Sequence, residues 1–189
     1  MRVLPVILLV CTIQAGGTAQ ALTQEQRQQI GQVQGKPVYA DQLTGQDARE
    51  RADSARELFM QPILRAWYLQ HAAEFKVTES EARMLEGQIK AYSECSKNGY
   101  VLPEDPKWRS LTLNMLGGTV KASRLLHDRY GGGRLLFQQA GTEAFDATRR
   151  LLEQRESEGA FAITDPQARS LAYDYWTRDH GAMFLTDPA

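Results

Sequence analysis

The chain opens on a segment that decides which residues have to fold at all. Met1-Arg2 is a short basic start, Val3 to Ile13 is an almost uninterrupted apolar run, and Ala15 to Ala21 is small and polar, closing on Ala19-Gln20-Ala21. A basic start, an apolar stretch and an A-x-A end form the pattern of a secretory signal. The apolar run is roughly half of the ~20 residues that a membrane-spanning helix needs. Gly16-Gly17-Thr18 would also break it as a buried helix. Residues 1–21 are therefore expected to be a signal peptide removed on export, which leaves 22–189 to fold. Cys11 raises the alternative of a lipid anchor, but a lipobox wants a small residue before the cysteine, and Val10 stands there. Anchoring at Cys11 is not expected, and no later segment is long and charge-free enough for a membrane span.

Loss of the signal leaves Cys95 as the one remaining cysteine of the two in the sequence. No intrachain disulfide is then expected, and Cys95 reads as a small buried hydrophobe, with a reactive thiol as the alternative. The chain carries 22 Lys and Arg against 23 Asp and Glu. That balance lacks the strongly basic face that nucleic acid demands, so no nucleic-acid partner is expected. His71, His127 and His180 fall on different predicted elements, and neither HExxH nor CxxC occurs. No metal and no cofactor is expected. Gly131-Gly132-Gly133-Arg134 lacks the Gly-Lys-Ser/Thr ending of a phosphate loop and reads as a helix stop. Acidic pairs such as Glu79/Glu81 and Glu156/Glu158 are assigned to capping and solvation, and no residue constellation argues for an enzyme.

Helical periodicity dominates the chain after the signal segment. Val33 and Val38 flank a Gly-Lys-Pro turn signal, which predicts a short strand or hairpin. Over 46–74, Leu58, Ile63, Ala66, Leu69 and Ala73 recur near the helical period, with a kink or break expected near Met60-Gln61 because Pro62 removes a backbone donor. Thr78-Glu79-Ser80-Glu81 is a capping box that starts a second helix, ended by Asn98-Gly99. Asp105-Pro106 starts a long helix with Trp108, Leu111, Met115, Leu116, Val120 and Leu125 as its apolar positions. Arg134 to Gln139 is short and apolar, either extended or the first turn of another helix. A helix over Ala144 to Glu156 and a last one from Asp165-Pro166 complete an expected all-α fold of five to six helices with one short strand or hairpin.

The order of these motifs resembles the N-terminal region of SurA-type and trigger-factor-like periplasmic chaperones. The pieces are Val33-Gln-Gly-Lys-Pro-Val38, Leu58-Phe-Met-Gln-Pro-Ile63, Tyr68-Leu-Gln-His-Ala-Ala73 and Val77-Thr-Glu-Ser-Glu81, covering about residues 30–95. The A-x-H-I-L strand that opens the parvulin prolyl isomerase domain of that family is missing. The chain is accordingly divided into the signal peptide, a SurA-like helical region over 22–100, and a helical extension over 101–189 packing on the same domain. The resemblance implies ATP-independent holding of unfolded polypeptide in the periplasm, with outer-membrane protein precursors among possible clients. The competing expectation is a helical adaptor or inhibitor that docks on one envelope partner; a prolyl isomerase ranks below both. Phe59, Met60, Trp67 and Tyr68 lie off the Ile63/Ala66/Leu69 line and are the expected peptide-binding residues, part of the set facing a cleft instead of the core.

Overall fold

The structure is a computed structural model that describes residues 27–95, 101–138 and 141–185. Residues 1–21, expected to be a signal, with Cys11 among them, and Asn98-Gly99, expected to end the second helix, lie outside the described residues. Strand β1 (Gln29–Val33) turns through Gln34-Gly35 into β2 (Lys36–Tyr39). Gln34 and Gly35 have φ of 50° and 76°, and two successive positive φ values make the tight turn that matches strand twist. Pro37 is tolerated because β2 is an edge strand. The third strand of this antiparallel sheet, in order β2-β1-β5, comes from far along the chain: β5 (Phe161–Ile163) pairs Gly31 with Ile163 and Val33 with Phe161.

The helical pattern breaks into two helices at Met60, just before Pro62. Helix α1 (Ala48–Phe59) is capped by Asp47, whose side chain accepts from the Glu50 N–H at 2.8 Å. Met60 interrupts it, and α2 (Gln61–Gln70) begins with Pro62 in its first turn, where no N–H is needed. The capping box leads into α3 (Glu79–Cys95): the Thr78 N–H donates to Glu81 Oε2 at 2.7 Å and the Glu81 N–H to Thr78 Oγ1 at 3.3 Å. Helix α4 (Pro106–Arg129) runs antiparallel along α3, with Glu81 paired to Lys121 and Glu86 to Arg109. A Cβ on Gly117 would stand 2.7 Å from Val77 Cγ2, so the small residue permits the close approach.

The glycine triplet stops α4. Arg150 Nη1 donates to the carbonyls of Tyr130, Gly131 and Gly132 at 2.9, 2.8 and 3.1 Å. Strands β3 (Leu135–Gln138) and β4 (Gly141–Glu143) follow, then α5 (Phe145–Ser157), β5, α6 (Pro166–Thr177) and β6 (Phe184–Leu185). A second antiparallel sheet has the order β4-β3-β6.

The all-α expectation is thus overturned. Among the described residues six α-helices are joined by two three-stranded antiparallel sheets, a mixed α/β architecture. Strands β3 to β6 are two to four residues long, too short to show a period of two. Their stability comes from partners distant in sequence. The core gathers Ile30, Phe59, Met60, Trp67, Leu151 and Phe161, with Phe145 and Trp176, from both ends of the chain. Gly31 lets this happen, since a Cβ there would stand 2.7 Å from the Phe59 ring.

Candidate functional site

The four residues singled out from sequence do not share one environment. Phe59, Met60 and Trp67 are buried in the core, Phe59 and Met60 completely. Their assignment to a peptide-binding surface is corrected: Phe59 packs on β1, and Met60 receives the Trp176 Nε1–H at its sulfur, 3.3 Å away. The inward face of α2 agrees with the expected one at Ile63 and departs from it at Ala66 and Leu69. Ile63, Leu64 and Trp67 point inward, while Ala66 and Leu69 are exposed. The break at Met60 resets the helical phase, which periodicity carried across Pro62 could not register. Tyr68 is 41% exposed.

Tyr68 stands where three hollows meet. Its ring lies edge-on to Trp67, centroids 5.4 Å apart, and 5.9 Å from Phe75, so two aromatic neighbours fix it. On one side opens an apolar cleft of about 470 Å³ between the 72–77 segment and α4, lined by Phe75, Val77, Met115, Gly118 and Ala122 with Tyr68. Beneath it is a smaller hollow of about 170 Å³ against β4, shared with Thr119, Ser123 and Thr142. On the other side lies a polar cleft of about 460 Å³, where Arg49, Arg56, Glu143, Tyr175 and Arg178 converge. Tyr68 lines all three, which makes them adjoining limbs around its ring: one apolar, one small and one polar.

Each limb owes its character to its elements. The apolar limb exists because the chain leaving α2 crosses over α4 where α4 carries Gly117-Gly118, leaving Met115 and Phe75 to form the walls. Beyond it, α4 shows Trp108, Leu111 and Met115 on one exposed face, with Trp108 59% and Met115 57% exposed. These are positions expected from sequence to face inward; the inward stripe is Leu113, Ala122 and Leu126 instead. No described residue of α3 is buried, so this helix offers α4 little to cover its outer face.

The polar limb centres on Tyr175, whose O–H donates to Glu143 Oε2 at 2.6 Å. Two guanidiniums flank its ring, Arg56 at 4.7 Å and Arg178 at 5.3 Å from the centroid. Burial raises the Glu143 pKa, opposed by the Tyr175 hydrogen bond and by the Arg56 and His180 charges. Burial also raises that of the Tyr68 hydroxyl, reinforced by the Glu143 charge. Sequence reading missed Glu143, Tyr175 and the three arginines. Arg49, Asp53 and Arg56 follow an i, i+4, i+7 spacing that marks one face of α1, but Glu143 and Arg178 join them only through the fold.

The chain matches no family model, and no curated protein and no solved structure is significantly similar to it. Among the described residues, no helix is long and apolar enough to cross a membrane.

Proposed function

We propose that this protein holds extended, unfolded polypeptide in the groove around Tyr68, as an ATP-independent chaperone of the SurA-like kind acting in the periplasm. The observation that carries the reading is the apolar limb together with the exposed Trp108, Leu111 and Met115 of α4. Apolar side chains gathered at a concave surface bind by burial with little directional demand, and Met adapts to varied partners. A patch of this kind is rarely left open without a binding role. The signal-like residues 1–21, the near-neutral charge and the motif order over residues 30–95 support it.

The same exposed face of α4 supports a second reading, an adaptor that lays one helix face into a groove on a single folded partner. Suppression of aggregation of an unfolded outer-membrane protein separates the two. Met115→Asp is expected to weaken suppression severalfold while changing stability by only about 0.5 kcal/mol, as at an exposed position; Tyr68→Ser should weaken it as well and cost about 1–3 kcal/mol, since it also removes the ring contacts with Trp67 and Phe75. Phe59→Ala is the contrast: it should cost about 3–5 kcal/mol, the usual loss for truncating a buried aromatic. Urea midpoints and suppression measured on the same variants decide the matter. Full suppression by both groove variants would remove the holding reading and leave the adaptor.

A further inference from the structure

The polar limb has a charge pattern that simple apolar holding does not use. Arg49, Asp53 and Arg56 line it from α1, and Arg178 lines it from the end of α6. Asp53 is engaged by Arg56 Nη2 at 3.1 Å. Arg178 meets Asp174 only at 3.7 Å. Among the described residues Arg49 makes no ion pair, and the buried Nε–H of Arg56 has no acceptor on the protein. Glu143 is the other acid of this limb; it accepts from Tyr175, and burial raises its pKa. Within the limb three guanidiniums face Asp53, paired to Arg56, and Glu143, whose ionised form burial disfavours; Arg178 is paired to Asp174 outside the lining, which leaves Arg49 as the cation without an acid of its own. Guanidiniums present paired donors that match a carboxylate in geometry and charge.

We infer that the polar limb takes the carboxylate of an acidic side chain on the bound polypeptide, between Arg49, Arg56 and Arg178, while a nearby apolar side chain of the same segment enters the apolar limb past Tyr68. The inference rests on the holding reading and names the segment it favours: apolar with an acidic residue close by. Tyr68 lines both limbs, so one short extended segment spans them. Charge complementarity selects the acidic residue, and the apolar limb supplies the affinity shared by all clients.

Fluorescence anisotropy with the purified protein tests this. Four labelled peptides share one extended apolar sequence. They carry a single Glu or Gln, each with a free or an amidated C-terminus. The Glu peptides are expected to bind about tenfold or more tighter than the Gln peptides, the change that one charge-assisted hydrogen-bond pair makes. This preference should hold with either terminus and shrink as salt is added. Arg49→Gln, at an exposed position, should abolish most of it. Equal affinity for Glu and Gln would overturn the acidic selectivity and leave holding intact. A preference set by the free terminus alone would assign the carboxylate to a chain end and overturn the side-chain assignment. Failure of all four peptides to bind would overturn the holding reading along with the inference.

Discussion

Glu143 and Glu81 are both glutamates with a hydrogen-bonding partner, yet the fold moves them in opposite directions. Burial pushes the Glu143 carboxyl above its ordinary value of 4.5. The folded protein therefore keeps this proton at pH values where the unfolded chain has lost it. A native state that holds more protons loses stability as pH rises, beginning at about the ordinary carboxylate value and ending once the raised folded value is passed. Glu143→Gln keeps an acceptor for Tyr175 and removes the titration. Urea unfolding of both proteins should show the wild type losing ground to Glu143→Gln as pH is raised from about 4.5. A difference independent of pH would mean that Glu143 is not held protonated by the fold. Phe59 makes the other residue-scale point: beside Gly31 its ring is part of the sheet packing, however apolar and groove-like its sequence neighbourhood looks.

At the scale of elements, the start of α3 is the part of the fold most fully written in local sequence. Thr78 and Glu81 satisfy each other's backbone N–H groups, and Lys121 of α4 closes on Glu81 at 3.0 Å. The backbone N–H of Thr78, then Lys121 and the Thr78 hydroxyl, pull the Glu81 carboxyl down to about 2. The sign is the reverse of Glu143: the stabilisation is present above the ordinary value of 4.5 and is lost as pH falls from there towards about 2. Glu81→Gln should be less stable than the wild type at neutral pH, and the gap should close in acid. Thermal melts across that window check it, and a gap that persists at the acid end would remove the carboxylate from the account. Because the box also ties α3 to α4, the variant should loosen the base of the apolar limb near Lys76 and Val77, where Lys121 Nζ also donates to the Lys76 carbonyl at 2.8 Å.

The whole molecule is closed by pairing between residues far apart in the chain. β1, near residue 30, hydrogen-bonds to β5, near residue 162, and α1 packs against α6. The Trp176 indole sits on Met60 and Phe145. Removing β5 and α6 would uncover Ile30, Phe59 and Met60 together, an apolar loss that no surface gain offsets. A chain ending at residue 158 should fail to show cooperative unfolding by circular dichroism, and residues 22–100 expressed alone should likewise remain unfolded. The intact protein should melt in a single transition. An independently folded 22–100 fragment would show that the cross-chain sheet is dispensable. The groove depends on the same closure, since its polar limb is shared by α1, α2, β4 and α6.

Local chemistry was enough to set the start of four of the helices. Asp47, Thr78, Asp105 and Asp165 cap them, Pro62 separates α1 from α2, the glycine triplet ends α4, and Gln34-Gly35 turns the first hairpin. These signals act within a few residues, so sequence alone carries them. Tertiary structure alone decided the rest. Strands as short as β5 gain their hydrogen bonds from partners more than a hundred residues away, so no window of sequence contains them. The face that α2 or α4 turns inward depends on which neighbour covers it, and so Trp67 is buried while Trp108 is exposed. Glu143 becomes an acid of raised pKa because the fold brings it to Tyr175 and buries it beside Arg56, a long-range electrostatic environment that neighbouring residues in the chain do not encode.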